Sequence, residues 1–290
     1  MQAELVLDAK AKLGEGPAWD GRVGVLYWVD IEGCAVHTYE PASGAWETYE
    51  FEEHVSAAIP MSAGGLILAT ENGISTFDME TKEQTVRVPL MSNKPSIRFN
   101  DAKCDPSGRL WAGTMAFGST PGRADLFRLE ESFEYTHVLS DLTVSNGMAW
   151  DTERELMYFI DTPTQAVYVF DYDKTSGAIS NQRVALDVSA ENGKPDGMTM
   201  DTEGMLWIAF FRGGKVISWD PIKQKKGREI NLPVSKVTSC TFGGPEMTDL
   251  YITTASTGLS EAELRDEPLA GGLFHVELDV PGVPSYRFGK

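Results

Sequence analysis

RFNDAKCDPSGRLWAGTM, from Arg98 to Met115, contains two β-strand signals joined by a tight turn. The Asp and Gly of DPSG are typical turn residues, and LWAGT is a short run of β-forming and small residues. Similar runs recur along the chain: LYWVD from Leu26, LILAT from Leu66, LWAGT from Leu110, MYFID from Met157, LWIAF from Leu206 and LYITT from Leu250. A second β-rich run follows each of them. A repeat of about 40–50 residues with about four strands is typical of a β-propeller.

The six repeats predict an all-β, six-bladed β-propeller that forms a single domain over residues 1–290. No stretch shows sustained helical periodicity with capping signals. A β-sandwich is the structural alternative, but it does not predict a six-fold repeat. Closure of the ring requires the two ends of the chain to meet. We expect AELVLDA, near the N-terminus, to add a strand to the blade that contains GGLFHVELD, because an unpaired sheet edge is a liability.

The composition excludes several classes of protein. A net charge of −18 argues against nucleic-acid binding, which needs a basic surface. No run of about 18 apolar residues indicates a membrane span, and the N-terminus lacks the features of a secretory signal. The three cysteines, Cys34, Cys104 and Cys240, are odd in number and far apart, which indicates reduced thiols and a cytoplasmic protein.

In a propeller the first strand of each blade lines a central channel. Four polar residues precede a turn aspartate by five positions each: Glu15 before Asp20, Asn100 before Asp105, Asn146 before Asp151, and Asp196 before Asp201. This common register predicts that the four side chains lie at one level of the channel. Ser56 and Ser239 fall near the same level in the remaining two blades.

Oxygen-bearing side chains at one level of a narrow channel predict a metal-binding channel. Two buried carboxylates would repel each other, and a divalent cation removes both the repulsion and the need for other partners. Carboxylate and amide oxygens without Cys or His suit Ca²⁺, Mg²⁺ or Mn²⁺ better than Zn²⁺. The alternative is that the four side chains only hydrogen-bond water in the channel.

Strand alternation assigns different faces to the neighbours of Asn100. Arg98 shares its face, whereas Asp101 has the opposite parity and is predicted to be a structural hydrogen-bonding residue. The four histidines stand in no metal-binding spacing, so they are predicted to be surface or packing residues. They are His37, His54, His137 and His275.

Five separated motifs together resemble the SMP-30/gluconolactonase/luciferin-regenerating family, which includes regucalcin and bacterial sugar lactonases. They are LGEGPAWD, RFNDAKCDPSGRLWAGTM, SNGMAW, KPDGMTMDTEGMLW and TFGGPEMTDLYITTA. The resemblance implies a six-bladed propeller with one divalent metal ion in its channel. The family's metal ligands fall on Glu15, Asn146 and Asp196, and its substrate-binding residues fall on Arg98 and Asn100. The chain departs from regucalcin at Gly118, where regucalcin-type members carry a substrate-binding glutamate. GLSEAELRDEPLAGGLFHVELDVPG looks closest to the bacterial sugar lactonases.

The expected function is therefore metal-dependent hydrolysis of a sugar-acid lactone. Ca²⁺ is the first choice of cofactor, with Mg²⁺, Mn²⁺ and Zn²⁺ as alternatives. Asp196 is the expected general base, provided that one of its oxygens stays free. The alternatives are a phosphotriester or aryl-ester hydrolase and a calcium-binding regulatory propeller without turnover. The expected partner is a small sugar lactone, with no nucleic acid and no membrane, and the protein is expected to be a monomer or a weak homo-oligomer.

Overall fold

The predicted repeats form six antiparallel sheets of four strands each in the computed structural model, which describes residues 1–91, 94 and 96–289. The strands are, in chain order, β1 (Glu4–Leu7), β2 (Gly14–Asp20), β3 (Val25–Asp30), β4 (Ala35–Glu40), β5 (Ala45–Glu50), β6 (Val55–Pro60), β7 (Leu66–Thr70), β8 (Ile74–Phe77), β9 (Gln84–Val88), β10 (Ile97–Cys104), β11 (Leu110–Ala116), β12 (Ala124–Leu129), β13 (Tyr135–Leu142), β14 (Ser145–Asp151), β15 (Leu156–Asp161), β16 (Ala166–Tyr172), β17 (Ile179–Asp187), β18 (Lys194–Met200), β19 (Leu206–Phe211), β20 (Lys215–Asp220), β21 (Lys225–Asn231), β22 (Val237–Gly243), β23 (Asp249–Thr254) and β24 (Leu273–Glu277).

The sheets are the blades of a propeller, as the repeat predicts. Blade 1 contains β2 to β5, and each following group of four strands forms the next blade up to blade 5. Blade 6 has the order β1-β24-β23-β22, so its outermost strand comes from the N-terminus. In this strand Glu4 pairs with His275 and Leu5 with Phe274. The predicted closure of the ring by the N-terminal segment is therefore confirmed.

Burial decreases from the first to the fourth strand of a blade. Every residue of β14, the inner strand of blade 4, is buried, whereas most residues of β5, the outermost strand of blade 1, are exposed. Apolar clusters fill the spaces between neighbouring blades, for example between blades 4 and 5. Burial of this apolar surface is the main force that holds neighbouring blades together.

The turn aspartates have structural roles at one end of the channel. The buried Asp105 accepts hydrogen bonds from the indole of Trp111 (3.0 Å) and the hydroxyl of Tyr172 (2.8 Å). Asp201 accepts one from the indole of Trp207 (2.8 Å) in the same way. These bonds fix the turn between the first and second strands of a blade, which explains why the aspartate recurs.

The C-terminal tail, residues 281–289, crosses this same end of the channel. The backbone amide of Thr202, in blade 5, donates to the carbonyl oxygen of Pro281 in the tail. The amide of Phe288, in the tail, donates to the carbonyl oxygen of Pro60 in blade 2. The guanidinium of Arg287 lies 3.6 Å from the carboxylate of Asp20 in blade 1. Because the tail contacts turns on several sides of the ring, it closes the channel at the end of the turn aspartates. The opposite end, where the inner strands begin, is called the mouth below.

Two short helical segments lie in loops on the mouth side, a 3₁₀ turn at Thr162–Thr164 and α1 at Glu261–Asp266. The six residues of α1 are too few to give a periodic sequence signal. Its start is nevertheless marked by a capping box, in which Ser260 and Glu263 exchange hydrogen bonds. Within the described residues, no helix is long and apolar enough to cross a membrane.

Candidate functional site

A break in strand pairing marks the same level of every inner strand. The register between first and second strands shifts once in each blade, at Glu15/Ala18, Val55/Ala57, Phe99/Ala102, Ser145/Met148, Pro195/Met198 and Val237/Ser239. Such β-bulges free a residue from the ladder and redirect its side chain. The sequence-predicted residues coincide with these breaks. Glu15 directly precedes the break in blade 1, and the breaks in blades 3, 4 and 5 contain Asn100, Asn146 and Asp196.

Hydroxyl side chains occupy the break in the remaining two blades. Ser56 Oγ donates to the carbonyl oxygen of Phe99 in the next blade (2.6 Å), and Thr238 Oγ1 donates to that of Gly14 (2.5 Å). Ser56 is therefore at the level that the sequence predicts, whereas in blade 6 the residue in the break is Thr238, one position before Ser239. Both hydroxyls tie neighbouring inner strands together.

Glycine follows Asn146 and Asp196 because neighbouring inner strands approach closely here. A Cβ atom at Gly147 would lie 2.7 Å from the carbonyl oxygen of Asp196. At Gly197 it would lie 2.1 Å from the hydroxyl of Ser239. Any larger residue would push adjacent blades apart and displace the side chain that precedes it.

The two asparagines are held in different ways. Asn146 Nδ2 donates to Thr162 Oγ1 (3.0 Å), whereas the buried Asn146 Oδ1 has no hydrogen-bond partner in the described residues. Asn100 uses both ends of its amide, since Nδ2 donates to the carbonyl oxygen of Ser145 (3.0 Å) and Oδ1 accepts from Arg98 Nη1 (3.0 Å). The Asn146 oxygen is therefore free for a further ligand, whereas the Asn100 oxygen is already engaged.

The buried carboxylates of Glu15 and Asp196 interact with each other. Burial raises the pKa of Glu15 well above its ordinary value, and the charges of Asp196 and Asp101 raise it further. Burial likewise raises the pKa of Asp196, again with a contribution from Asp101, while Asn146 and Arg98 act in the opposite direction. Asp196 Oδ1 is buried without a hydrogen-bond partner in the part of the chain that the structure describes.

The position of Asp101 corrects the argument from strand alternation. The break between Phe99 and Ala102 removes the alternation, so opposite parity no longer means opposite faces. Burial raises the pKa of Asp101 to about 6, and its charge acts on both Glu15 and Asp196. Asp101 is thus a third carboxylate near the predicted metal ligands.

Arg98 lies on the mouth side of this cluster. Its side chain is buried and also donates to the carbonyl oxygen of Phe99 (2.7 Å). Burial lowers the pKa of Arg98 to about 10, which still leaves it protonated at neutral pH, and the charges of Glu15, Glu32, Glu71 and Asp196 favour the protonated form. The structure therefore brings all five sequence-predicted residues into one cluster.

The residues of the cluster fit a divalent cation by two criteria. Asn146 and Asp196 each present a buried oxygen without a partner among the described residues, an arrangement that is costly unless a ligand satisfies it. Among the described residues, the side-chain cations that lower the pKa values of the three carboxylates are Arg98 and Lys103, one fewer than the carboxylates. No group of three or more His, Cys, Asp or Glu side chains in residues 1–91, 94 and 96–289 is arranged to hold a metal. The set at this level combines carboxylates with an amide, and its role as a metal site stays a prediction.

The metal-free protein should lose stability as the pH rises from about 4 to beyond 6. Folding raises the pKa of Asp101 from 3.8 to about 6, so the folded state binds more protons than the unfolded chain between these values, and unfolding becomes easier with rising pH. The full effect of Asp101 is about 3 kcal/mol. Glu15 and Asp196 shift in the same direction and extend the loss to higher pH.

Thermal unfolding in chelator, followed from pH 4.5 to 8, tests this expectation. The Asp101→Asn variant should become more stable relative to the wild type as the pH rises. A difference in Tm between the two proteins that stays constant over this range would contradict it.

Sequence reasoning missed two contributors to the cluster. Thr162 orients Asn146 and donates in turn to the carbonyl oxygen of Pro195 (2.9 Å), but it comes from the loop after β15 and carries no sequence signal. Asp101 was visible beside Asn100, but strand alternation gave no reason to expect its charge to act on Glu15 and Asp196.

Comparisons with known proteins agree with this fold and length. The sequence model of the SMP-30/Gluconolactonase/LRE-like region matches residues 13–256. A protein named "Putative sugar lactone lactonase YvrE" from Bacillus subtilis (strain 168) is 40% identical over 289 residues, which cover 99% of each chain. Regucalcin of Danio rerio is 36% identical over 291 residues, 99% of this chain and 98% of the relative. The crystal structure of a calcium-binding regucalcin from Agrobacterium tumefaciens has a TM-score of 0.94 at 26% identity and covers 99% of this chain and 98% of that chain.

Proposed function

Because the chain belongs to the SMP-30/gluconolactonase/LRE-like family, we propose that it is a metal-dependent hydrolase that opens sugar-acid lactones. The observation that carries the proposal is a pair of buried oxygens, Asn146 Oδ1 and Asp196 Oδ1, that have no hydrogen-bond partner among the described residues and lie near the Glu15 carboxylate. We take residues 1–290 as one propeller domain, which acts in the cytoplasm as a monomer or a weak homo-oligomer. Its three free thiols fit a reducing compartment.

Glu15, Asn146 and Asp196 are the proposed metal ligands. Thr162 holds the Asn146 amide so that its oxygen faces the cluster, which suits a ligand that donates through oxygen. Ca²⁺ is the first choice because the donors are all hard oxygens, and Mg²⁺, Mn²⁺ and Zn²⁺ are the alternatives. The bound cation would supply Lewis-acid polarisation of the ester carbonyl and acidification of water.

Asp196 is the proposed general base. Burial and the charge of Asp101 raise its pKa well above that of an ordinary aspartate, which makes the carboxylate a better proton acceptor. Asp196 can bind a cation through one oxygen and accept the proton of the attacking water through the other. Its neighbour Arg98 is positioned to stabilise the negative charge that develops on the ester oxygen.

Arg98 and Asn100 are the proposed substrate-binding residues. The Arg98–Asn100 hydrogen bond holds both side chains in one orientation, with Arg98 on the mouth side of the ligands and Asn100 at their level. A fixed arginine and a fixed amide orient a polyhydroxylated ring at little entropic cost. Their presence favours a substrate over a bare structural ion, which would need neither.

Gly118 leaves room at the mouth rather than an acid. Apart from Gly118 and its two chain neighbours, no heavy atom of the described residues lies within 4 Å of the position that a Cβ would occupy there. We therefore expect the sugar preference to differ from that of relatives with a glutamate at this position. The exposed ring of Phe117, the preceding residue, is compatible with the alternative aryl-ester or phosphotriester substrates.

The proposal predicts that chelation abolishes lactone opening and that one or more divalent metals restore it. Protein stripped with a chelator is resupplied with Ca²⁺, Mg²⁺, Mn²⁺ or Zn²⁺, and acid release is followed for D-glucono-δ-lactone, an aryl ester and a phosphotriester. Because such lactones open slowly in water, each rate is corrected with a protein-free blank containing the same metal. Metal binding without hydrolysis of any compound would favour a calcium-binding regulator. Preference for the aryl ester or the phosphotriester would favour the alternative enzyme, an aryl-ester or phosphotriester hydrolase.

A further inference from the structure

His54 occupies the position in blade 2 that Arg98 occupies in blade 3. Arg98 precedes Asn100 by two residues, His54 precedes Ser56 by two, and both Asn100 and Ser56 lie in the break of their inner strands. The two blades are neighbours, since Ser56 Oγ donates to the carbonyl oxygen of Phe99. His54 therefore lies on the mouth side of the cluster, in the blade next to that of Arg98.

The imidazole of His54 has a fixed orientation. Its Nδ1 lies 2.6 Å from Glu71 Oε2, and the Glu71 amide donates to the backbone oxygen of His54 (2.9 Å). A carboxylate only accepts hydrogen bonds, so Nδ1 carries a proton and Nε2, on the other side of the ring, is the nitrogen left to bind a ligand. Nε2 makes no hydrogen bond within the described part of the chain, and 29% of the side chain is exposed.

An aromatic ring flanks this free nitrogen. The ring centroid of Phe117 lies 5.9 Å from that of His54. The Phe117 side chain is 44% exposed, although its backbone amide is fixed by a hydrogen bond to the carbonyl oxygen of Ser96 (3.0 Å). The next residue is Gly118, which leaves open space. Aromatic side chains together with a few fixed polar groups line small-molecule sites, and the His54 imidazole and the Phe117 ring supply one of each.

We propose that His54, oriented by Glu71 and flanked by Phe117, binds substrate through a hydrogen bond between its Nε2 and a hydroxyl of the lactone remote from the reacting ester. This assignment rests on the lactonase function proposed above and extends its site toward the mouth. Glu71 is also one of the acids whose charge favours protonated Arg98, in keeping with a pair that lies close to that side chain. The subsite selects polyhydroxylated over unsubstituted lactones, because only the former bring a hydroxyl to Nε2.

Two other histidines have the same local chemistry but a different location, which makes them matched controls. His137 Nε2 lies 2.9 Å from Asp125, and its ring stacks on Phe127, but it belongs to the outermost strand of blade 3. His275, on β24, pairs with Asp249, on β23. Neither precedes the break of an inner strand.

The test compares His54→Ala, Glu71→Ala and the control His137→Ala in the metal-loaded protein. His54→Ala should raise KM for D-glucono-δ-lactone by about 5- to 10-fold, the loss expected for one hydrogen bond, with little change in kcat. KM for δ-valerolactone, which has no hydroxyl groups, should stay unchanged. Glu71→Ala keeps the imidazole but releases its orientation, so it should raise the same KM by a smaller factor. If His54→Ala lowers Tm, the Glu71→Ala variant provides the test instead.

Calorimetric titration with D-gluconate separates this proposal from the proposed activity, because it needs no turnover. If the wild type opens no lactone, the proposed function fails, and weaker gluconate binding by His54→Ala than by His137→Ala still supports the subsite. Equal KM values, or equal gluconate affinities, in the His54 and His137 variants would overturn it. So would an equal rise in KM for δ-valerolactone, because that effect would not depend on a substrate hydroxyl.

Discussion

Replacing Asp196 by Asn should lower kcat for lactone opening by about a thousandfold, because the amide cannot take a proton from the attacking water. The fold should persist, since Asp196 Oδ1 has no hydrogen-bond partner in the described residues and the amide has nearly the same shape. Removal of one of the mutually repelling acids should not lower the Tm of the metal-free variant. Acid release under saturating metal and substrate measures the effect.

Asp151→Asn is the matched control for this variant. Asp151 is also buried and also on an inner strand, but it lies at the closed end of the channel, where it binds Arg154 (2.7 Å). The kcat of the Asp151→Asn variant should stay close to that of the wild type. Turnover of Asp196→Asn within tenfold of the wild type would remove Asp196 as the base and leave it only a ligand.

Replacing Glu15 by Gln should have two opposite effects. Affinity for Ca²⁺ should fall on the order of 100-fold or more, because a charged ligand becomes neutral. The metal-free variant, in contrast, should be more stable than the metal-free wild type at pH 8. Folding raises the pKa of Glu15, so ionisation of this carboxylate destabilises the folded state, and the neutral amide avoids that cost.

Calorimetric titration with Ca²⁺ and thermal unfolding in chelator measure these effects separately. Glu50→Gln, on the exposed outermost strand of the same blade, is the control and should alter neither value. A metal-free Glu15→Gln protein that is less stable than the wild type would show that the carboxylate has a structural role and is not held in place for a cation.

The sequence predicts the fold because each repeat carries its own turn and strand signals. The spacing from the turn aspartates also predicts the common level of Glu15, Asn100, Asn146 and Asp196, all of which lie at a break in their strands. The orientation of Asp101 was not predictable by alternation, because a break in pairing depends on how two backbones meet and not on the residue types of one strand.

The sequence also could not predict that the side chains of the two asparagines make different hydrogen bonds. Asn100 and Asn146 occupy equivalent positions, and only their neighbours distinguish them: Arg98 engages the oxygen of the first, and Thr162 leaves that of the second free. The environment of His54 depends likewise on Glu71, which follows β7 of the same blade, and on Phe117, which follows β11 of the next blade. Such contacts are set by tertiary structure.

The closure of blade 6 has a consequence for the order of events during synthesis. β1 leaves the ribosome before the other strands of the propeller, yet its pairing partner β24 is the last of these strands to be made. Until then β1 has an unpaired edge, which can associate with other chains. Ring closure is therefore a late, long-range step, and such contacts slow folding. Variants that weaken the pairing of Glu4 and Leu5 with β24 should reduce the yield of native protein more than the catalytic rate of the molecules that complete the ring.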